Sequence, residues 1–281
     1  NRPRVRVRGN RCVLNTMSAA IRDLGVLGFK TYTAGRDGAR FHVWLYDGET
    51  GEPLALLQAN RLGQVRTGAA SGLATRYMAR PEASTVALIG TGFQAETQLE
   101  AVCAVRPVRE VRVYSRDPHR RVRFCEMMRA RLKARIEPVG TAREAVLGAD
   151  VVITITSASE PVLRGEWLEP GMHVNAAGAN AMNRRELDTE AVVRAHRIVV
   201  DDREQARVES ADLSHPIAEG RLSWDRVAEL ADVVGGRVPG RQDGREITLF
   251  KSLGVAIEDV AVALRVYRAA RQAGRGRALD L

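Results

Sequence analysis

The sequence lacks any apolar run approaching the roughly eighteen residues needed to cross a bilayer. Its opening, NRPRVRVRGN, is basic but is not followed by the apolar core of a signal peptide. The expectation is a cytoplasmic protein with no membrane partner. Cysteine is scarce as well. Cys12, Cys103 and Cys125 are odd in number, widely separated and without C-x-x-C spacing, which excludes a disulfide framework or zinc ribbon and leaves buried or incidental thiols. Aromatic residues are only 5% of the chain, so there are few platforms for stacking nucleobases. The 43 Lys plus Arg outnumber the 34 acids by nine, yet they are scattered among those acids along helices and form no basic block, so no nucleic-acid partner is expected. No cluster of His, Asp or Glu has metal-ligand spacing, and no G-x-S-x-G elbow follows a strand, so neither a metal centre nor a serine hydrolase is indicated.

What is present begins with Thr85 to Ala95, TVALIGTGFQA, an apolar β-run that ends in a glycine turn and opens a helix. In this G-x-G-x-x-A pattern Gly90 allows a sharp turn, Gly92 removes a side chain where a pyrophosphate must approach, and Ala95 lets the helix pack on the strand. The free N–H groups and helix dipole then face an anion. The following segments VREVRVYS, RIEPV, DVVITIT, HVNAAG and RIVVDD read as further strands, with helices predicted at 94–105, 117–133 and 141–148, the last opened by a Thr141 to Glu144 capping box. This is the layout of a doubly wound parallel sheet.

Upstream, Phe41 to Tyr46 and Pro53 to Gln58 flank DGETGE and predict an antiparallel hairpin, followed by a helix from about Arg66 to Arg80. Downstream, Gly254 to Ala273 has apolar positions at helical spacing. That helix is expected to return to the first domain. The fold class is therefore α/β: a Rossmann-type doubly wound parallel sheet over 83–251, inserted into a second α+β domain made of 1–82 plus 252–281.

The second strand of a dinucleotide fold decides cofactor choice, because an acid at its end binds ribose hydroxyls and repels a 2′-phosphate. Here Tyr114 is followed by Ser115 and Arg116, with Arg120 and Arg121 nearby, so NADP(H) is favoured over NAD(H). Outside that domain, Arg4, Lys30 and Arg66 are candidate cations for a substrate carboxylate, and Lys30, one of few lysines, is a candidate proton donor. Among the histidines, His42, His173 and His196 read as structural or exposed, and His215, before Pro216, as a loop residue.

The succession RPR, GFK, DGETGEPLAL, RTGAASGLA, IGTGFQA, ITSASEPV, GANAMNRREL and ITLFKSLGVAIED resembles the ornithine cyclodeaminase and mu-crystallin family over nearly the whole chain. Members of that family begin with a further N-terminal segment ahead of RPR, so the resemblance implies a shortened chain. It also implies a homodimer, hydride transfer at Cα of a small α-amino or α-imino acid, and a cleft lined by both domains. By motif, Arg4 and Arg66 take the role of carboxylate clamps and Lys30 that of acid or base. Gly90, Gly92, Gln94 and Ala95 hold pyrophosphate, Thr91 and Phe93 belong to the same cofactor-binding turn, and Ser115, Arg116 and Arg120 stand where a 2′-phosphate would bind. Thr156 and Ser157 border the nicotinamide, Lys251, Ser252 and Gly254 close the cleft, and Asp259 is a structural partner in the last helix. One departure matters. Where cyclodeaminases of the family carry an aspartate, this chain has Asn180, which cannot serve as a carboxylate base. The resemblance therefore implies an imine reductase or amino-acid dehydrogenase ahead of an ornithine or lysine cyclodeaminase, with a non-enzymatic ligand-binding protein as the third alternative.

Overall fold

The computed structural model describes residues 1–35 and 38–279. In chain order the strands and helices begin with β1 (Val5–Arg8), β2 (Cys12–Ile21), β3 (Val26–Gly35), β4 (Gly38–Asp47), β5 (Pro53–Gln58) and α1 (Asn60–Met78). They continue with β6 (Thr85–Ile89), α2 (Ala95–Val105), β7 (Glu110–Tyr114), α3 (Pro118–Arg129), β8 (Arg135–Pro138), α4 (Ala142–Val146), β9 (Val151–Thr154) and β10 (His173–Ala176). The last are α5 (Thr189–Val193), β11 (Arg197–Val200), α6 (Arg203–Glu209), α7 (Ala211–Ala218), β12 (Val227–Glu229), α8 (Leu230–Val234), β13 (Thr248–Lys251) and α9 (Ala256–Gln272). The chain divides into two compact units, Asn1–Arg66 with Gly254–Leu281, and Thr67–Leu253. No helix among the described residues is long and apolar enough to cross a membrane.

The first unit is an antiparallel sheet in the order β1-β2-β3-β4-β5 with α9 on one face. The expected hairpin is its β4–β5 edge, and three strands precede it that the sequence pattern did not announce. Alternation sorts the residues: Met17, Ala19, Val26, Val43 and Leu45 point inward against Ala256, Val260, Ala263 and Leu264 of α9. Gly28 permits this approach, since a Cβ there would lie 2.3 Å from the Trp44 carbonyl oxygen and 3.3 Å from a Val260 methyl.

The second unit is an eight-stranded parallel sheet in the order β12-β11-β13-β10-β9-β6-β7-β8. Alternate residues of one strand enter different layers. Val86 and Leu88 join Leu99, Val102, Phe124 and Met128 of α2 and α3, whereas Ala87 and Ile89 join Ala145, Val146, Val192 and Leu213 of α4, α5 and α7. Helix α3 is capped by Asp117, which accepts from the Arg120 N–H, and α4 by Thr141, which accepts from the Glu144 N–H. Helix α1 begins at Asn60, six residues earlier than its pattern suggested. Its second half is rich in small residues for a reason: Gly68 and Gly72 bring it against Thr97 and Ala101, while Ala70, Ala74 and Met78 pack on Val199 and Phe250. Strand β13 lies between β10 and β11, so the ITLFK segment is a central buried strand. His215 is not in a loop; it lies within α7, one residue before a proline inside that helix.

Candidate active site

In the second unit the chain runs outward from β6 to β7 and β8, then returns to β9 on the other side, so the strand order reverses between β6 and β9. A crevice at the carboxyl ends of such strands is where open α/β sheets bind ligands. Gly90 takes φ +114°, and a Cβ there would lie 2.3 Å from the Ile155 carbonyl oxygen, so only glycine fits the turn. At Gly92 an added Cβ would meet nothing within 4 Å, which leaves that side open. Gln94 occupies the N-cap of α2 without capping it, and its buried Oε1 has no hydrogen-bond partner among the described residues. Ala95 is fully buried, as helix-on-strand contact requires, and Phe93 is exposed. An open glycine turn and a helix N-terminus without a side-chain cap suit a dinucleotide pyrophosphate.

At the end of β7, Thr91 Oγ1 donates to Ser115 Oγ across 3.1 Å. Arg116 is exposed. Arg120 Nε lies 3.4 Å from Asp117 Oδ2 in an exposed pair. Arg121 folds back instead, donating to the Ser115 carbonyl at 3.0 Å with its guanidinium 5.5 Å from the Tyr114 ring centre. Asp117 is an acid close to this strand end, occupied as the cap of α3, where the Arg120 N–H holds its carboxyl below the usual range. Thr156 follows β9 and is bound to Glu186, and Ser157 beside it is exposed.

The first unit gathers the predicted cations around one aspartate. Lys30 Nζ, on β3, lies 3.0 Å from Asp259 Oδ1, and Arg66 Nε donates to the same oxygen at 2.9 Å. Arg66 Nη1 reaches Glu258 Oε2 at 2.9 Å. Arg4 Nη2 donates to the Gly254 carbonyl at 3.4 Å. Gly254 belongs here by geometry: at φ +74°, a Cβ would sit 2.6 Å from Arg66 Nη1. Lys30 is 3% exposed, and its pKa falls to about 8 because burial disfavours the charge; Arg66 and Arg4 add repulsion that Asp259 partly offsets. The Lys30 ammonium also faces the Phe41 and Tyr32 rings at 5.2 and 5.8 Å. Gly63 in α1 makes room for it, since a Cβ there would approach Nζ to 3.3 Å. Lys30 and Arg66 therefore share Asp259, Arg66 also meets Glu258, and Arg4 lies near enough to repel the Lys30 charge, a gathering of cations suited to a small carboxylate.

Lys251 and Ser252 have other employment. Lys251 is fully buried, 2.9 Å from Asp212 Oδ2, and donates to the Ala179 carbonyl at 2.6 Å. Ser252 Oγ donates to Asp201 Oδ2 at 3.2 Å. Asn180 stands half-buried beside Ala179. Sequence reasoning missed Glu186, Asp212 and Glu258 and undervalued Asp259. The adjacent acids Glu258 and Asp259, directly after SLGVAI at the start of an amphipathic helix, were the available signal.

Residues 1–274 match the model of the ornithine cyclodeaminase/mu-crystallin family. A Delta(1)-pyrroline-2-carboxylate reductase of Bacillus cereus is 37% identical over 272 residues, covering 94% of this chain and 83% of that protein. Among solved structures, Thermococcus litoralis Delta(1)-pyrroline-2-carboxylate reductase in complex with NADH and L-proline superposes with a TM-score of 0.95 at 37% identity, over 99% of this chain and 89% of that one. An archaeal alanine dehydrogenase dimer with bound NAD gives 0.93 at 33% identity, over 100% of this chain and 88% of that one. With its glycine turn, its basic cluster and this likeness over nearly its full length, the chain belongs to the ornithine cyclodeaminase/mu-crystallin family.

Proposed function

We propose that the chain is an NAD(P)H-dependent oxidoreductase that reduces a small α-imino acid, a cyclic ketimine carboxylate such as pyrroline-2-carboxylate, and in the reverse direction oxidises the matching L-amino acid. The observation that carries this reading is the convergence of Lys30 and Arg66 on Asp259 Oδ1, with Arg4 close enough to depress the same amine. Arg4 and Arg66 hold the substrate carboxylate, and Lys30, protonated below about pH 8, hydrogen-bonds the imine nitrogen and keeps it protonated. A bound reduced nicotinamide supplies the hydride that reaches Cα. The imine then becomes a secondary amine with one proton taken up. Asp259 keeps the Lys30 amine aimed and retains its proton. Gly90, Thr91, Gly92, Phe93, Gln94 and Ala95 hold the pyrophosphate; Thr156 and Ser157 border the nicotinamide. Asn180 offers an amide in place of a carboxylate base, which argues against an ammonia-eliminating cyclisation.

NADP(H) is the preferred cofactor in this reading, because Ser115, Arg116 and Arg120 can bind a 2′-phosphate while Asp117 is committed to capping α3. A homodimer is supported by the sheet face opposite α9, where Val5, Val7, Leu14, Leu27 and Leu56 are exposed beside stacked Phe29, Trp44 and Tyr46 rings. The direct test follows oxidation of NADPH and NADH with pyrroline-2-carboxylate, piperideine-2-carboxylate, and pyruvate plus methylamine. Turnover with at least one imine, faster with NADPH, is expected. A chain that binds NADPH but oxidises it with none of them contradicts the assignment.

A further inference from the structure

The mechanism makes no use of the fully buried carboxylate of Glu186, in the segment between β10 and α5. Its Oε1 accepts from the Thr156 N–H at 2.6 Å and the Thr156 hydroxyl at 2.8 Å. Its Oε2 accepts from the Thr154 hydroxyl at 3.1 Å, the Gly178 N–H at 2.7 Å and the Ala179 N–H at 3.2 Å. These donors come from the carboxyl ends of two adjacent strands, β9 and β10. The backbone of Glu186 is fixed in turn, because its own N–H and that of Leu187 donate to Asp212 Oδ1 at 2.8 and 2.9 Å. Asp212 is then paired with Lys251 at the end of β13. The brace reaches a third loop by contact. A Cβ at Gly90 would lie 3.2 Å from the Thr156 methyl, and one at Gly178 would lie 2.4 Å from the Thr156 backbone and 2.5 Å from Glu186 Oε1.

We infer that Glu186 is a positioning residue for the dinucleotide: its carboxylate locks the Thr156–Ser157 loop to the Gly178–Asn180 turn and so fixes the sheet edge on which the nicotinamide half of the cofactor rests. This deepens the functional reading above and rests on it. A buried carboxylate is an expensive fastener for loops that apolar packing could hold, and its presence here fits a site where donor geometry has to be rigid. Every partner of Glu186 is a donor, so the ionised acid satisfies them all. A glutamine cannot, because its amide NH₂ must face at least one N–H or hydroxyl that also donates. Burial, with the Asp212 charge nearby, raises the pKa of this acid above the usual carboxylate range, and Lys251 and the Thr156 donors offset part of that rise.

The test uses the full chain and the variants Glu186→Gln, Thr154→Val and Thr154→Ser. It reads four quantities: the NADPH dissociation constant by fluorescence, kcat and KM with pyrroline-2-carboxylate, and the thermal midpoint. Glu186→Gln should weaken NADPH binding about tenfold and lower kcat, while KM for the imino acid stays within about twofold. Thr154→Val should move the same quantities about threefold in the same direction, and Thr154→Ser, which keeps the hydroxyl, should restore them. A folded Glu186→Gln protein with unchanged NADPH affinity and kcat overturns the inference. So does a Thr154→Ser protein as impaired as Thr154→Val, or a proportional loss of cofactor and imino-acid affinity that merely follows the thermal midpoint. If Glu186→Gln does not fold, the Thr154 pair decides by the same criteria. A wild-type chain that binds neither NADPH nor NADH would remove the functional reading itself, whereas wild-type binding left intact in Glu186→Gln removes only this inference.

Discussion

Two buried lysines each meet an aspartate in this molecule, and they keep opposite company. Lys251 has Asp212 Oδ2 to itself at 2.9 Å and spends a hydrogen bond on the Ala179 carbonyl, while Asp212 Oδ1 serves backbone N–H groups. Lys30 shares a single oxygen of Asp259 with Arg66 and feels the Arg4 charge as well. The first arrangement ties Lys251 and Asp212 to backbone groups of neighbouring segments, so it fastens β13 to them. The second buries the Lys30 amine and sets Arg66 and Arg4 beside it, and burial first, then that repulsion, lowers its pKa to about 8. In the proposed mechanism the same side chain is a rivet in one unit and an acid in the other.

The comparison can be broken by substitution. Lys30→Met should lower kcat/KM for imine reduction about a thousandfold or more, with NADPH binding retained in a fluorescence titration. Lys251→Met strands Asp212 in the interior and should cost about 3–5 kcal/mol of stability, read from the denaturant midpoint. Gly90→Ala, which forces a Cβ onto the Ile155 carbonyl at positive φ, should cost about 1–3 kcal/mol and weaken NADPH binding in the same titration. Arg116→Ala carries the smallest effect, lowering the NADPH over NADH ratio of kcat/KM about tenfold while leaving the NADH rate near wild type.

The parallel sheet was legible because its strands are short apolar runs, buried on both faces, that end at a glycine turn whose steric demand is visible in the sequence itself. Strands β1 to β3 were hidden because only alternate residues face inward; in CVLNTMSAAI the buried positions include Asn15, Met17 and Ala19, a mixed set without a strong apolar rhythm. The start of α1 was obscured by Gly63, a poor helix former that is there to admit the Lys30 amine. The predicted basic residues Arg4, Lys30 and Arg66 lie in one cluster, but the acids that organise them, and the Glu186 brace, were not foreseeable from residue type. A glutamate or aspartate in a single sequence reads as surface, and only tertiary packing makes it buried.

The pH dependence of hydride transfer tests the central claim most directly. With Lys30 as the acid, kcat/KM for reduction of pyrroline-2-carboxylate should hold at low pH and fall through about pH 8, and oxidation of L-proline should rise through the same region, since the amine must then accept a proton. Asp259→Asn removes the contribution that holds the proton on Lys30, so both limbs should move to lower pH. Profiles whose limbs stay fixed in Asp259→Asn, or that persist unchanged in Lys30→Met, would contradict the account.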